Sequence, residues 1–406
     1  MEFIARMVDQ DMPANQGEDL TASSDGSDMT GLAIRKLSLF SYRNYTHLRM
    51  EAEGLKQDSN IVVITGHNGA GKTNILEAIS MLTPGRGLRS CKTRDLDQVN
   101  AFGPWAVSCS LDSQYGPVEL GTGRDPEGER RIVRINGATA KGQSALSEYI
   151  SAVWLTPQMD RLFLDSSGAR RRFLDRLIYG FDAAHAGRLS AYEKAMRERA
   201  KLLKQGVKDD IWLKALESQM VERGIAVAAA RRDMTERLDI ACARSDGPFP
   251  GAKVTVSGSV EDDLARLPAV EVEDKFAAAL RAGRQQDADN GGAGHGPHRS
   301  DLDVMHLEKN MPAHLCSTGE QKALLIAIVL AHAKLQAAER GVPPLLLLDE
   351  VAAHLDQKKR SALFETIESL GSQTWLTGTE PNVFDELKGK AQFFHVENGK
   401  VKKQAA

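Results

Sequence analysis

The chain has 406 residues, 42% apolar and 26% charged, with a formal charge of −3, enough to bury at least one large core in an ordinary soluble protein. No apolar run approaches the roughly 18 residues of a membrane span, and no basic-then-apolar leader opens the sequence. Cys91, Cys109, Cys242 and Cys316 have neither disulfide-framework nor zinc spacing, so the expectation is a reduced, cytoplasmic protein with no membrane partner.

Charge is unevenly placed. Residues 1–30 hold seven acids (Glu2, Asp9, Asp11, Glu18, Asp19, Asp25, Asp28) against one base, Arg6, which reads as a disordered acidic tail. The rest carries 51 Lys and Arg against 48 Asp and Glu, a mild surplus that permits nucleic-acid binding without demanding it. Met29 stands just before the first strand pattern and is a candidate natural start.

Past the tail, residues 32–40 alternate as a strand does, Ile61–Thr65 is a continuous apolar strand of the buried parallel kind, and residues 72–82 read as a helix. Short β-rich stretches at 105–111, 118–121 and 131–135, split by turn residues, predict an antiparallel β-layer. From about 169 to 243 the period becomes helical: Leu189, Met196 and Leu203 recur every seven residues, as do Leu213, Met220, Val227 and Met234. This predicts two helices of about 35 residues, each about 50 Å long, packed as an antiparallel arm around a turn at Gly206. After Gly291 and Gly292 the β/α pattern resumes. The expected architecture is an α/β ATPase head built from 31–165 and 291–406, with the added β-layer and an inserted α-helical arm over 166–290. The sequence shows no internal repeat.

Three signals of phosphate chemistry follow one another. Gly66-His67-Asn68-Gly69-Ala70-Gly71-Lys72-Thr73 fits GxxxxGK[ST] directly after an apolar strand. Gly66, Gly69 and Gly71 let backbone N–H groups, with that of Asn68, turn inward around phosphates; Lys72 adds charge, and the Thr73 hydroxyl can ligate Mg²⁺. The run Leu345–Asp349 delivers Asp349 and Glu350 to a strand's C-terminal edge, where ligands of open α/β sheets bind. Beside a P-loop, Asp349 is read as the Mg²⁺-shell carboxylate and Glu350 as the group polarising the attacking water. Ser317-Thr318-Gly319-Glu320 is a capping box, and a capped helix N-terminus is also an anion site.

At this point the chain resembles the ATP-binding cassette superfamily. The resemblance implies that Ser317 and Gly319 bind the γ-phosphate held by the opposite subunit's P-loop, that Asp356 belongs to a loop at the dimer seam, and that Gln158 senses Mg²⁺ and the attacking water. Within that superfamily, Leu37-Ser38-Leu39-Phe40-Ser41-Tyr42-Arg43-Asn44-Tyr45, residues 168–175 (GARRRFLD) and residues 296–302 (GPHRSDL) resemble the bacterial RecF family. The family resemblance implies an ATP- and Mg²⁺-dependent homodimer on double-stranded and gapped DNA that works with RecR, cooperates or competes with RecO, and helps to load RecA in recombinational repair.

One departure stands out: transport ATPases place a switch histidine where this chain has Thr377-Gly378-Thr379, so slow turnover is expected. For DNA the candidates are Arg170, Arg171 and Arg172, the arm residues Arg197, Arg199, Lys201 and Lys204, and Arg299 with His298; no sequence-reading motif appears, so contacts are expected to be backbone-directed and salt-dependent. Lys72 and Ser317 stand 245 residues apart, too far for a transporter ATPase. An arm of about 75 residues is too short for a condensin-type tether, and no room remains after Asp356 for the metal domain of an OLD-type nuclease. Another chromosome-maintenance ATPase of this superfamily and an ATP-switched scaffold without direct DNA recognition stay as alternatives.

Overall fold

The computed structural model describes residues 31–53, 60–101, 103–206, 209–244 and 247–404. The acidic tail expected over 1–30, and Met29 with it, lies outside the described residues. The chain forms two compact units, one ending at Pro157 and resuming at Gln336, the other running Gln158–Leu335. Among the described residues no helix is long and apolar enough to cross a membrane.

Strands β1 (Ala33–Tyr42), β2 (Tyr45–Glu51), β3 (Ile61–Thr65), β4 (Ala106–Ser113), β5 (Gly116–Arg124), β6 (Arg131–Ile135), β7 (Ala138–Thr139) and β8 (Ala152–Leu155) belong to the first unit. The second holds β9 (Ala252–Ser257), β10 (Asp301–His306) and β11 (Met311–Pro312); β12 (Leu345–Asp349), β13 (Thr374–Gly378), β14 (Ala391–Glu397) and β15 (Lys400–Gln404) return to the first. One sheet has the order β2-β1-β4-β5-β6-β7 and is antiparallel throughout. This is the antiparallel layer read from the sequence, enlarged by the hairpin β1–β2.

The other large sheet has the order β15-β14-β3-β13-β12-β8, parallel from β14 to β8 with β15 antiparallel at the edge. Strands β3, β13 and β12 are buried at every position, as the unbroken apolar runs of a covered parallel sheet require. The register sets Ile64, Thr377 and Asp349 side by side. β13 therefore stands between the strand that feeds the P-loop and the strand that ends in the two carboxylates.

In the second unit, helix Asp210–Cys242 is a single rod of 33 residues, about 50 Å, capped by the Asp209 carboxylate, which accepts from the N–H groups of Ile211 and Trp212. The 35-residue partner expected before Gly206 is instead two helices, Ser167–Tyr179 and His185–Lys204. The break falls at residues 180–184, where Asp182 accepts from Ala184 N–H and pairs with Arg188, a side-chain alternative to continued helix. The unit also carries the antiparallel sheet β11-β10-β9. The span 166–290 read as the arm lies wholly within this unit, which takes in β10 because β10 pairs with β9.

The two heptad series differ in depth. Leu213, Met220, Val227 and Met234 are all buried, whereas Leu189, Met196 and Leu203 are only partly buried. The buried face of His185–Lys204 runs through Tyr192, Ala195, Arg199 and Leu202, offset from the heptad of Leu189, Met196 and Leu203. Arg199 hid that face from a hydrophobicity pattern: it is 1% exposed and satisfied by Glu217 Oε1 at 2.9 Å, Asp287 Oδ2 at 2.7 Å and Leu280 O at 2.7 Å. Arg199 is thus a core residue and no longer a candidate for DNA. Met220→Ala should cost about 2–5 kcal/mol in urea unfolding, and Leu189→Ala less than half as much; equal losses would contradict this assignment of the buried face.

Candidate active site

The P-loop leaves β3 at Thr65 and enters helix Lys72–Ser80. Gly66, Gly69 and Gly71 have φ of 151, 82 and 112°, a region that favours glycine. A Cβ on Gly71 would lie 2.5 Å from Asn44 Nδ2 and 2.6 Å from Tyr45 Oη, and one on Gly66 would lie 2.4 Å from Val396 O. Asn44 Nδ2 donates to Ala70 O at 3.0 Å, and Tyr45 Oη to Gly71 O at 3.0 Å. Asn44 and Tyr45 are therefore the platform on which the loop rests, taking the carbonyls of Ala70 and Gly71, as suits a loop whose amides turn toward an anion. Arg43 and Arg89 both pair with the buried Glu77 of the P-loop helix, and Arg89 also donates to Asn74 Oδ1 at 2.7 Å.

Lys72 is buried. Its ammonium donates to Gly66 O at 2.8 Å and His67 O at 3.2 Å, folding back along the loop, and lies 3.7 Å from Glu350 Oε1. Thr73 Oγ1 donates to Asp349 at 2.9 Å from Oδ1 and 3.0 Å from Oδ2. Thr377 Oγ1 donates to the same Oδ1 at 2.7 Å and accepts from Glu350 N–H at 3.0 Å. Burial raises the proton affinity of Asp349, the two threonine hydroxyls offset this in part, and the charge of Glu350 raises it further. Glu350 itself has φ 52°, uncommon for a residue with a side chain. Thr379 Oγ1 donates to Asn68 Oδ1 at 3.1 Å. In the sequence these threonines register only as the absence of a histidine; the strand register that makes Thr377 the neighbour of Asp349 leaves no mark there.

The first unit thus brings together Gly66, Asn68, Gly69, Gly71, Lys72, Thr73, Asp349 and Glu350. A glycine-rich loop between a strand and a helix, with a lysine, suits a nucleoside triphosphate. A hydroxyl and a carboxylate in contact form an all-oxygen donor set, which suits Mg²⁺ held jointly with phosphates. Asp356 caps helix Gln357–Leu370, accepting from Lys359 N–H at 2.9 Å, and is exposed.

In the second unit, Ser317 is exposed at the start of helix Thr318–Arg340, and both its N–H and its hydroxyl donate to Glu320 Oε2 at 2.9 Å. A Cβ on Gly319 would meet no atom within 4 Å, so the space beside this glycine is open. Burial raises the pKa of the neighbouring Cys316 thiol, which donates to Pro312 O. Gln158 is exposed in the turn Pro157–Arg161.

The two remaining signature segments lock into each other. Arg170 pairs with Asp301 and donates to Asp165 O; Arg171 donates to Ser300 O. Buried Asp175 binds Arg231 through both oxygens at 2.8 Å and His185 Nε2 at 2.9 Å, while Arg231 also donates to Pro297 O and Ser300 Oγ. Gly296 has φ 132° and its Cα faces Tyr192 Oη, which a Cβ would approach to 2.3 Å. Arg299 donates to Ala293 O, and His298 bonds Tyr192 Oη and Ala293 O. Of the candidate DNA contacts, Arg170 and Arg171 are engaged inside the unit, whereas Arg172, Arg299, Lys201 and Lys204 are exposed.

A family model described as the RecF/RecN/SMC N terminal domain matches residues 33–402. The DNA replication and repair protein RecF of Mesorhizobium japonicum is 49% identical over 91% of this chain and 97% of its own length. The chain belongs to the RecF family. The RecF proteins of Rhizobium johnstonii and Brucella suis are each 47% identical over 91% of this chain, covering 98% and 96% of their own. The fold is that of a solved RecF, described as a recombination mediator protein of the RecFOR pathway with an ATP analogue, at TM-score 0.80, 21% identity, and coverage of 92% of this chain and 99% of that one. An Smc head domain from Pyrococcus furiosus matches at TM-score 0.53 and 18% identity over 92% of this chain and 96% of its own. The fold class is accordingly the ATP-binding-cassette head of RecF and SMC proteins.

The Asp175–Arg231 pair makes a pH prediction. Burial alone would raise the Asp175 pKa, but Arg231 and His185 together lower it to about 2. A depressed carboxyl pKa contributes stability that is complete above the unfolded value near 4 and is lost as pH falls toward 2, worth about 2 kcal/mol. Asp175→Asn should cost about 3–5 kcal/mol at pH 7 by leaving Arg231 unpaired. Its deficit against wild type should shrink as unfolding is measured from pH 4 down to pH 2; a constant deficit would contradict the pairing.

Proposed function

We propose that this RecF-family chain hydrolyses ATP to time its residence on DNA during replication and repair. The observation that carries the reading is the contact of Thr73 with Asp349, which joins a P-loop to a strand-end carboxylate, with Glu350 beside it and Lys72 within 3.7 Å. The loop amides and Lys72 would bind the triphosphate, and Thr73 and Asp349 would hold Mg²⁺, which when bound neutralises phosphate charge. Glu350, partly exposed and beside Lys72, would orient and deprotonate the attacking water.

The reading extends to a homodimer. Helix Thr318–Arg340 begins at exposed Ser317 and Gly319, and a helix N-terminus can take an anion, which supports completion of each nucleotide site by Ser317 of the partner subunit once its donors exchange Glu320 for phosphate, with Asp356 at the seam. Gln158, exposed in its turn, would sense the bound nucleotide. The absence of a switch histidine at Thr377–Thr379 supports slow turnover. Exposed Arg172, Arg299, Lys201 and Lys204 would meet DNA phosphates, giving strongly salt-dependent binding. The RecFOR pathway in which the solved relative works supports RecR and RecO as partners; gapped duplex as substrate and RecA loading as outcome complete the proposal.

Glu350→Gln should lower ATP turnover at least ~100-fold and accumulate an ATP-bound dimer in light scattering, whereas Ser317→Ala should bind ATP and stay monomeric. A monomeric Glu350→Gln protein with ATP bound would sink the dimer mechanism. DNA affinity indifferent to ATP, ADP or no nucleotide at fixed salt would favour the scaffold reading.

A further inference from the structure

Resting on the ATPase reading above, we infer that Thr377 is a positioning residue of the hydrolytic site, holding Glu350 by its main-chain amide while fixing Asp349. Thr377 is 1% exposed, and its hydroxyl proton is given to Asp349 Oδ1 at 2.7 Å. Its lone pairs are thereby left for Glu350 N–H, at 3.0 Å. The polarity of the relay is set by the amide, which can only donate, so the threonine oxygen accepts from Glu350 and its proton goes to Asp349.

Glu350 depends on such a partner. At φ 52° it occupies a conformation that few residues with side chains adopt, and such conformations persist where the surroundings over-determine them. Lys72, at 3.7 Å from Oε1, is beyond hydrogen-bond range. Thr73 reaches Asp349 from the P-loop helix, so the hydrogen bonds run without a gap from that helix through Asp349 and Thr377 to the Glu350 amide. A shift at the phosphate loop is thus transmitted to the backbone of the residue proposed to activate water. The threonine methyl branch keeps the hydroxyl in one orientation in a strand.

Thr377→Val keeps the branched shape and deletes only the hydroxyl; Thr377→Ser keeps the hydroxyl. Single-turnover hydrolysis, equilibrium binding of a fluorescent ATP analogue and melting of the nucleotide-free protein are measured for wild type, both variants, Glu350→Gln and the double variant. Thr377→Val should slow hydrolysis by about tenfold or more while ATP affinity stays within about threefold, the split expected when an interaction of the reacting state is removed. Thr377→Ser should restore the rate, and Thr377→Val should add nothing to Glu350→Gln, since residues acting through one another are not additive. If Thr377→Val unfolds, Thr377→Cys, with a weaker donor, should show the same split. A rate unchanged by Thr377→Val, a loss of affinity equal to the loss of rate, or an additive double variant would overturn the role of Thr377 while leaving ATP hydrolysis intact. A wild-type chain that hydrolyses no ATP would overturn both.

Discussion

Asp349 is the group on which the candidate site depends. Its carboxylate is almost fully buried and is met from two sides, by Thr73 from the P-loop helix and by Thr377 from the neighbouring strand. Burial makes the charge unfavourable, and two hydroxyl donors compensate only part of that. A site so arranged is short of positive charge, which is the condition under which a cation is held by few protein ligands together with phosphate. The same two contacts fix the P-loop helix, β12 and β13 relative to one another, so the candidate chemistry and the local packing share one set of bonds.

The second unit is organised around buried ion pairs as much as around apolar contacts. Asp175 with Arg231, and Arg199 with Glu217 and Asp287, lie in the interior. Removing one member of such a cluster leaves an uncompensated charge, so these pairs constrain sequence more tightly than leucines of the same depth. The segments 168–175 and 296–301 are joined through Arg170 to Asp301, Arg171 to Ser300, and Asp175 to Pro297 by way of Arg231. Their motif character therefore has a structural cause, and it leaves fewer arginines for DNA than the sequence offered: Arg170 and Arg171 serve the interior, while Arg172 and Arg299 remain at the surface.

What could be read ahead of the structure followed from local chemistry. A glycine-rich run between an apolar strand and a helix, or an apolar strand ending in two acids, carries its geometry in consecutive residues. The heptad Leu213–Met220–Val227–Met234 was legible because its residues are apolar and its helix unbroken. The preceding helix was misread on both counts. Its break at 180–184 is made by the side chain of Asp182, and its deepest face contains an arginine that only distant Glu217 and Asp287 make tolerable.

By itself the sequence determined the α/β class, the glycine-rich loop between strand and helix, the two strand-end carboxylates and the helix start at Ser317, because each depends on backbone conformation or periodicity within a few residues. Only the tertiary structure decided that β13 lies between β3 and β12, that Thr377 therefore binds both Asp349 and the Glu350 amide, and that Asn44 and Tyr45 carry the P-loop from beneath. Strand order and hydrogen-bond register are choices among parallel pairings that similar apolar runs satisfy equally well, so the partner of a buried hydroxyl is settled only when the sheet closes.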